Sequence, residues 1–240
     1  MHEFSPLMKS NLSAVFAVLI LTACSEADSP AAVGNAPFVL PASVGVPSVC
    51  PDDRAFLHAR YRIAAGGETR MLDLYRRANE VLHVGREPDL AEYWRRLPND
   101  RIVHTRFFDD YGRGIEYEPS DLLSVTGAQN WAALSGLAPV RPDAEASGEG
   151  CTALADRHTV FGRIAYLTEL DLMAYRRTYG ATISLVALDF DRDAIDAAFR
   201  ERDDYPLVDF ADVGDMENDD ELARMMAKSF MERRDHGHAH

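Results

Sequence analysis

Between Asp209 and Glu217 four carboxylates, Asp209, Asp212, Asp215 and Glu217, stand at steps of three, three and two. Calcium takes about six to eight oxygen ligands, so an oxygen-rich loop of this kind has suitable chemistry for it. The steps do not match an EF-hand, where acids alternate and a glutamate closes the loop. The same residues also read as a solvated acidic surface with a helix cap, and that reading is favoured. Phe210, Val213 and Met216 interleave with the acids and would pin the loop to a core. A second set is His83, His104 and His158, each in or beside a different predicted strand; they make a metal site only if the fold converges them. Isolated strand histidines are more often structural or surface residues. His236, His238 and His240 alternate at the end of the chain, where a frayed terminus is expected.

Catalytic patterns are weaker still. Asp109 to Tyr117 brings acids and Arg113 close in sequence, but Gly112 and Gly114 beside a turn read as hairpin geometry. Glu116 and Tyr117 are neighbours on a strand and face opposite ways. There is no G-x-S-x-G, no His-Glu-x-x-His, no phosphate loop and no dinucleotide fingerprint. No catalytic residue is therefore named, and a non-enzymatic binding or accessory role is expected. The alternatives are an envelope hydrolase or metal-dependent enzyme without a recognised motif, and a structural subunit of an envelope complex. No cofactor is expected, beyond the calcium option and a covalent lipid considered below.

The elements that must position these residues begin near Phe56. Alternating segments at 56–64, 69–76, 80–84, 90–97, 101–108 and 113–117 are separated by Gly66-Gly67, Ala78-Asn79, Pro98-Asn99-Asp100 and Asp110-Tyr111-Gly112. Turns recurring every 8–12 residues between such segments predict an antiparallel meander. Its apolar face needs a cover. A short helix is expected over 126–137, and the Pro-, Gly- and acid-rich stretch near 139–150 reads as an exposed loop between subdomains. Further on, the pattern predicts a strand over 159–167, a segment over 170–177 that reads as helix or strand with helix favoured, a buried strand over 181–188 and helices over 191–202 and 219–233. The expected fold class is α+β, with a curved antiparallel meander in the first half packed by helices from the second.

Ahead of this domain, a basic residue at Lys9 precedes a ten-residue apolar run, Leu12 to Leu21. That run is short of the roughly 20 residues needed to span a bilayer and has the form of a secretory signal. It ends in Leu21-Thr22-Ala23-Cys24, which resembles the lipobox of bacterial lipoproteins. The resemblance implies that the Cys24 sulfur receives a diacylglycerol, that the chain is cut just before Cys24, and that the new amino group is acylated. Met8 gives a more compact basic lead-in than Met1 and is the expected start. Several acyl chains would anchor the protein stably where one would not. Ser25, in place of an aspartate, favours the outer membrane over the inner, facing the periplasm.

The resulting layout is a signal over 1–23, a lipidated Cys24 and flexible tether over 24–50, a sheet region over 51–138, a loop over 139–150, acidic sheet completion and helices over 151–235, and a tail over 236–240. With Cys24 lipidated in an oxidising compartment, Cys50 and Cys151 are a candidate disulfide, and two free thiols are the alternative. No C-x-x-C supports zinc or redox chemistry.

The net charge of −14 repels phosphate backbones and anionic membrane surfaces, so nucleic acid is excluded as an expected partner. Membrane contact runs through the lipid, and an envelope protein or an amphiphile remains as ligand. Arginines such as Arg60, Arg76, Arg95 and Arg106 concentrate in the first half. Asp189 to Glu221 holds fourteen acids against three arginines, most of the chain's negative charge. Either the halves attract one another, or the sheet offers a basic face to an anion. Trp94, the Pro98 turn, and Phe107-Phe108-Asp109 followed by a strand resemble, in their rhythm, the LolA and LolB class of periplasmic lipoprotein carriers. That resemblance implies a half-barrel with an apolar groove for an acyl chain.

Overall fold

Period-two alternation and well-placed turns build six strands in succession: β1 (Leu57–Ala65), β2 (Glu68–Arg77), β3 (Glu80–Glu87), β4 (Leu90–Arg96), β5 (Ile102–Phe108) and β6 (Arg113–Tyr117). Two helices follow, α1 (Pro119–Thr126) and α2 (Trp131–Gly136). A second run comprises β7 (Ala146–Ser147), β8 (Leu154–Thr159), β9 (Gly162–Leu167), β10 (Leu172–Arg177) and β11 (Ala181–Asp189). The chain closes with α3 (Arg192–Arg200), β12 (Leu207–Asp209) and α4 (Asp220–His236). This computed structural model describes residues 37–240 apart from 88, 127–128, 139–142, 160–161, 217–218 and 237–240. The signal, Cys24, His238 and His240 lie outside the described residues.

The protein has a mixed α+β fold, dominated by one twelve-stranded, largely antiparallel open sheet with a few short helices. The strand order is β12-β6-β5-β4-β3-β2-β1-β11-β10-β9-β8-β7. Each run is a meander, and the antiparallel pairing of β1 with β11 joins them. Among the described residues only β12 runs parallel to its neighbour, β6. The two outermost strands, β12 and β7, have three and two residues. Edges this short offer little template for pairing with another chain.

Alternation along β1 places Leu57, Ala59 and Tyr61 on one face, each fully buried. They belong to a large core with residues from both meanders, among them Leu74, Trp94, Leu167 and Leu185. A smaller core on the opposite face joins Leu82 and Ala91 to Ile195 and Phe199 of α3. Asp191 caps α3, accepting from the Asp193 and Ala194 amides at 3.0 and 3.2 Å.

Several expectations are corrected. The segment expected as a helix over 170–177 is strand β10, with Leu172, Met173 and Ala174 all buried. Short apolar runs do not distinguish helix from strand by period, and here β9 and β11 supply a ladder on each side. Strand β8 was not expected; it pairs with β9 as a hairpin where a single strand was foreseen. Pro119 follows β6 and opens α1, where its missing N–H is not needed. The helix expected over 126–137 shrinks to α2, capped by the Asn130 side chain accepting from Ala132 N at 3.0 Å. The strands before and after the stretch near 139–150 belong to one sheet, which runs from β12 to β7. Helices from the second half do pack on the sheet, but α1 and α2 come from before that loop.

Residues from Phe38 to Cys50, expected as part of a tether, pack on the domain. Phe38 stacks on Tyr175 with centroids 4.9 Å apart, and its amide donates to Asp156 at 2.8 Å. Val44 is buried in the main core. Cys50 and Cys151 form a disulfide across a separation of 101 residues, with Cα atoms 4.9 Å apart. Gly150 permits this approach, since a Cβ there would overlap the Ser48 carbonyl oxygen. Closing a loop of this length stabilises by about 4–5 kcal/mol in the chain-entropy model. Cys50→Ser with Cys151→Ser is expected to cost about 2–5 kcal/mol, read as a lower urea midpoint, and a reductant should reproduce the loss in the wild type.

Candidate functional site

The inner face of the first meander is apolar along most of its length, and a few polar side chains interrupt it in register. One row across the strands is Leu57, Arg76, Val81, Trp94, His104 and Tyr117. The next is Ala59, Leu74, His83, Glu92, Arg106 and Ile115. Lying over this face are α1, whose Leu122 enters the main core, and α2, whose Ser135 and Gly136 are buried. Leu222 and Met225 of α4 also join that core.

Arg76 fastens the cover. Its guanidinium, 7% exposed, donates to four backbone carbonyls: Leu170 at 2.7 Å, Arg54 at 3.0 Å, Ser135 at 3.2 Å and Asp171 at 3.4 Å. Burial lowers its pKa, and the nearby Asp171 acts against that shift. Five N–H donors in a planar fork suit it to gather carbonyls from separate segments. His83, beside it, donates from Nε2 to the Leu134 carbonyl of α2 at 2.9 Å, which fixes the proton on that nitrogen. Gly136 completes the seat, since a Cβ there would overlap the Asp171 carbonyl oxygen.

Beneath the cover runs a ladder of rings. His83 meets Trp94 edge-on at 4.6 Å, Trp94 stacks on His104 at 5.0 Å, and His104 stacks on Tyr117 at 5.4 Å. Phe210 ends it, 4.7 Å from Tyr117. Glu92 accepts from Arg106 Nη2 at 2.8 Å and lies 3.7 Å from His104 Nε2. Among the described residues that nitrogen has no hydrogen-bond partner. Burial pulls the His104 pKa down to about 4, although Glu92 favours the charged ring. His104 is thus a neutral, stacked ring at ordinary pH.

The expected site residues fare differently. His83 and His104 lie on either side of Trp94, whereas His158 is on β8, at the far end of the sheet. Of the acidic loop, Asp209 accepts from the Ala211 amide at 2.9 Å and caps a 3-10 turn, while Asp212 and Asp215 are exposed. Glu217 lies outside the described residues. Among the described residues no group of three or more His, Cys, Asp or Glu side chains is arranged to hold a metal ion. The segregated charges meet across the halves, Arg77 with Asp196 at 3.0 Å and Arg113 with Asp219 at 3.0 Å, and Asp109 pairs with Arg202 at 2.6 Å in the opposite sense. Reading the sequence missed Arg76 as a fastener. Its signal was an arginine in phase with Leu72 and Leu74 on the buried face of a strand.

No protein-family model matches this chain, and no curated protein matches it.

Because the folded His104 pKa lies below its unfolded value near 6.5, protonation favours the unfolded chain. The contribution is full above about pH 6.5 and is lost as the pH falls towards 4, by about 3 kcal/mol. His104→Phe, which keeps the stacking, should flatten that part of the stability–pH curve measured by urea unfolding between pH 7 and 4. Arg76→Met should leave several carbonyls unsatisfied at about 1–3 kcal/mol each. The expected readout is faster amide exchange in α2 with little change in β4 and β5.

Proposed function

We propose that the protein is a lipid-anchored envelope protein that holds an amphiphile between the inner face of its sheet and the α1–α2 cover, without catalysing a reaction. The observation that carries this reading is the attachment of the cover to a mainly apolar face, where Arg76 and His83 grip the α2 carbonyls. A cover that rests on apolar surface can part from the sheet without dismantling the core strands. An acyl chain entering there would replace apolar contacts with apolar contacts, which keeps the hydrophobic contribution largely intact. In this reading the sheet is a curved half-barrel, as the resemblance to LolA and LolB implies, and helices pack against it.

Anchoring rests on the resemblance of Leu21-Thr22-Ala23-Cys24 to a lipobox, with the outer membrane favoured by Ser25. The Cys50–Cys151 disulfide is compatible with an oxidising compartment. In a Gram-negative host, labelled palmitate should enter the wild type and not Cys24→Ser. A photoreactive fatty acid should then cross-link to inner-face peptides containing Trp94 or Leu72. Failure of acyl capture, with palmitate incorporation intact, would leave the anchor standing and remove amphiphile binding in favour of a protein partner.

A further inference from the structure

The outer face of the sheet, away from the α1–α2 cover, holds a cavity of about 230 Å³. Its floor is a row in register, Leu82, Tyr93, Thr105 and Glu116, one residue from each of β3 to β6. Phe199 of α3 and Tyr205 in the turn after it wall the space, and Phe107 meets Tyr205 edge-on at 5.9 Å. Thr105 is 1% exposed and lines the cavity among aromatic rings and charged side chains.

Most charges around it are already matched. Arg77 is held by Glu80 at 2.7 Å and by Asp196 at 3.0 Å, and its guanidinium lies 4.1 Å from the Phe199 ring centroid. Arg202 is clasped by Asp109 at 2.8 and 2.6 Å. Tyr93 donates its hydroxyl to Glu80 at 2.5 Å. Two lining groups differ: among the described residues Arg95 and Glu116 make no ion pair. They stand on β4 and β6 with β5 between and two residues out of register, about 12 Å apart at the backbone. Asp203 adds a further exposed carboxylate at the lining.

A cation and an anion on opposite sides of an aromatic recess recognise the reverse arrangement in a ligand. Drug-sized ligands use pockets of about 300–1,000 Å³, and this cavity is smaller. We propose that it binds a small zwitterion with an apolar side chain, the size of an amino acid or dipeptide. The ligand carboxylate meets Arg95, where a guanidinium offers a two-pronged contact. Its ammonium meets Glu116, and its side chain lies against Phe199 and Tyr205.

Calorimetric titration of the full chain in detergent with L-phenylalanine and L-alanyl-L-phenylalanine tests this, alongside the N-acetylated and C-amidated form of each. At least one parent compound should bind, and blocking either end should weaken it by about tenfold or more. Arg95→Gln should weaken the parent and leave the C-amidated form unaffected. Glu116→Gln should weaken the parent and leave the N-acetylated form unaffected. Binding of neither parent, or equal binding of parent and blocked forms, would overturn the proposal, as would two variants that bind like the wild type. Melting curves check that each variant is folded; if one is not, the blocked compounds on the wild type decide alone.

Discussion

The antiparallel pairing of β1 with β11 is the contact on which the rest depends. Without it the chain would be two separate meanders, each with an exposed edge of unpaired amides and carbonyls. With it, β1 becomes a central strand, and its Leu57, Ala59 and Tyr61 are sealed between both halves. The pairing spans most of the chain, so its loop-closure entropy is substantial. The Cys50–Cys151 disulfide joins the segment leading into β1 to the segment leading into β8, and so restricts the same separation covalently. Tyr61 adds a third link, donating its hydroxyl to the Met173 carbonyl of β10 at 2.9 Å.

Polar groups on the inner face follow from the same geometry. A sheet face this wide cannot be covered by one helix, so several short segments converge on it. Their ends bring backbone carbonyls into the interior, and buried carbonyls require donors. Arg76 answers that requirement at the meeting point of the residues before β1, helix α2 and the β9–β10 turn. Satisfying carbonyls with one cation keeps a charge buried, which costs more than a neutral donor would. It also ties the cover's position to that side chain, alongside the His83 bond to α2. The outer face carries α3, the turn after it and Phe56 from the segment before β1, and part of its floor lies beneath aromatic side chains.

Much of the first meander was legible because alternation and turn chemistry agree there. Gly66-Gly67, Ala78-Asn79 and Pro98-Asn99-Asp100 each fall where a strand ends, and alternation in β1 and β2 marks the face that enters the main core. The second meander was less legible. In β10 and β8 the apolar residues are contiguous rather than alternating, so period carried little information and neighbouring strands decided the state. The docking of Phe38 to Cys50 was hidden for a similar reason: its Pro- and Ala-rich composition resembles a tether, and its packing depends on Tyr175 and Asp156, more than a hundred residues away.

The sequence by itself determined the strand-rich character, the turns of the first half, the helices α3 and α4, and the pair of cysteines available for a disulfide, because these depend on local period, capping and residue type. Tertiary structure decided which strands meet, that Arg76 and His83 grip the cover, and that Arg95 and Glu116 flank one recess. Those relations are set by sheet order and register across long separations, and no local pattern of residues encodes the distance between two strands that are far apart in the chain.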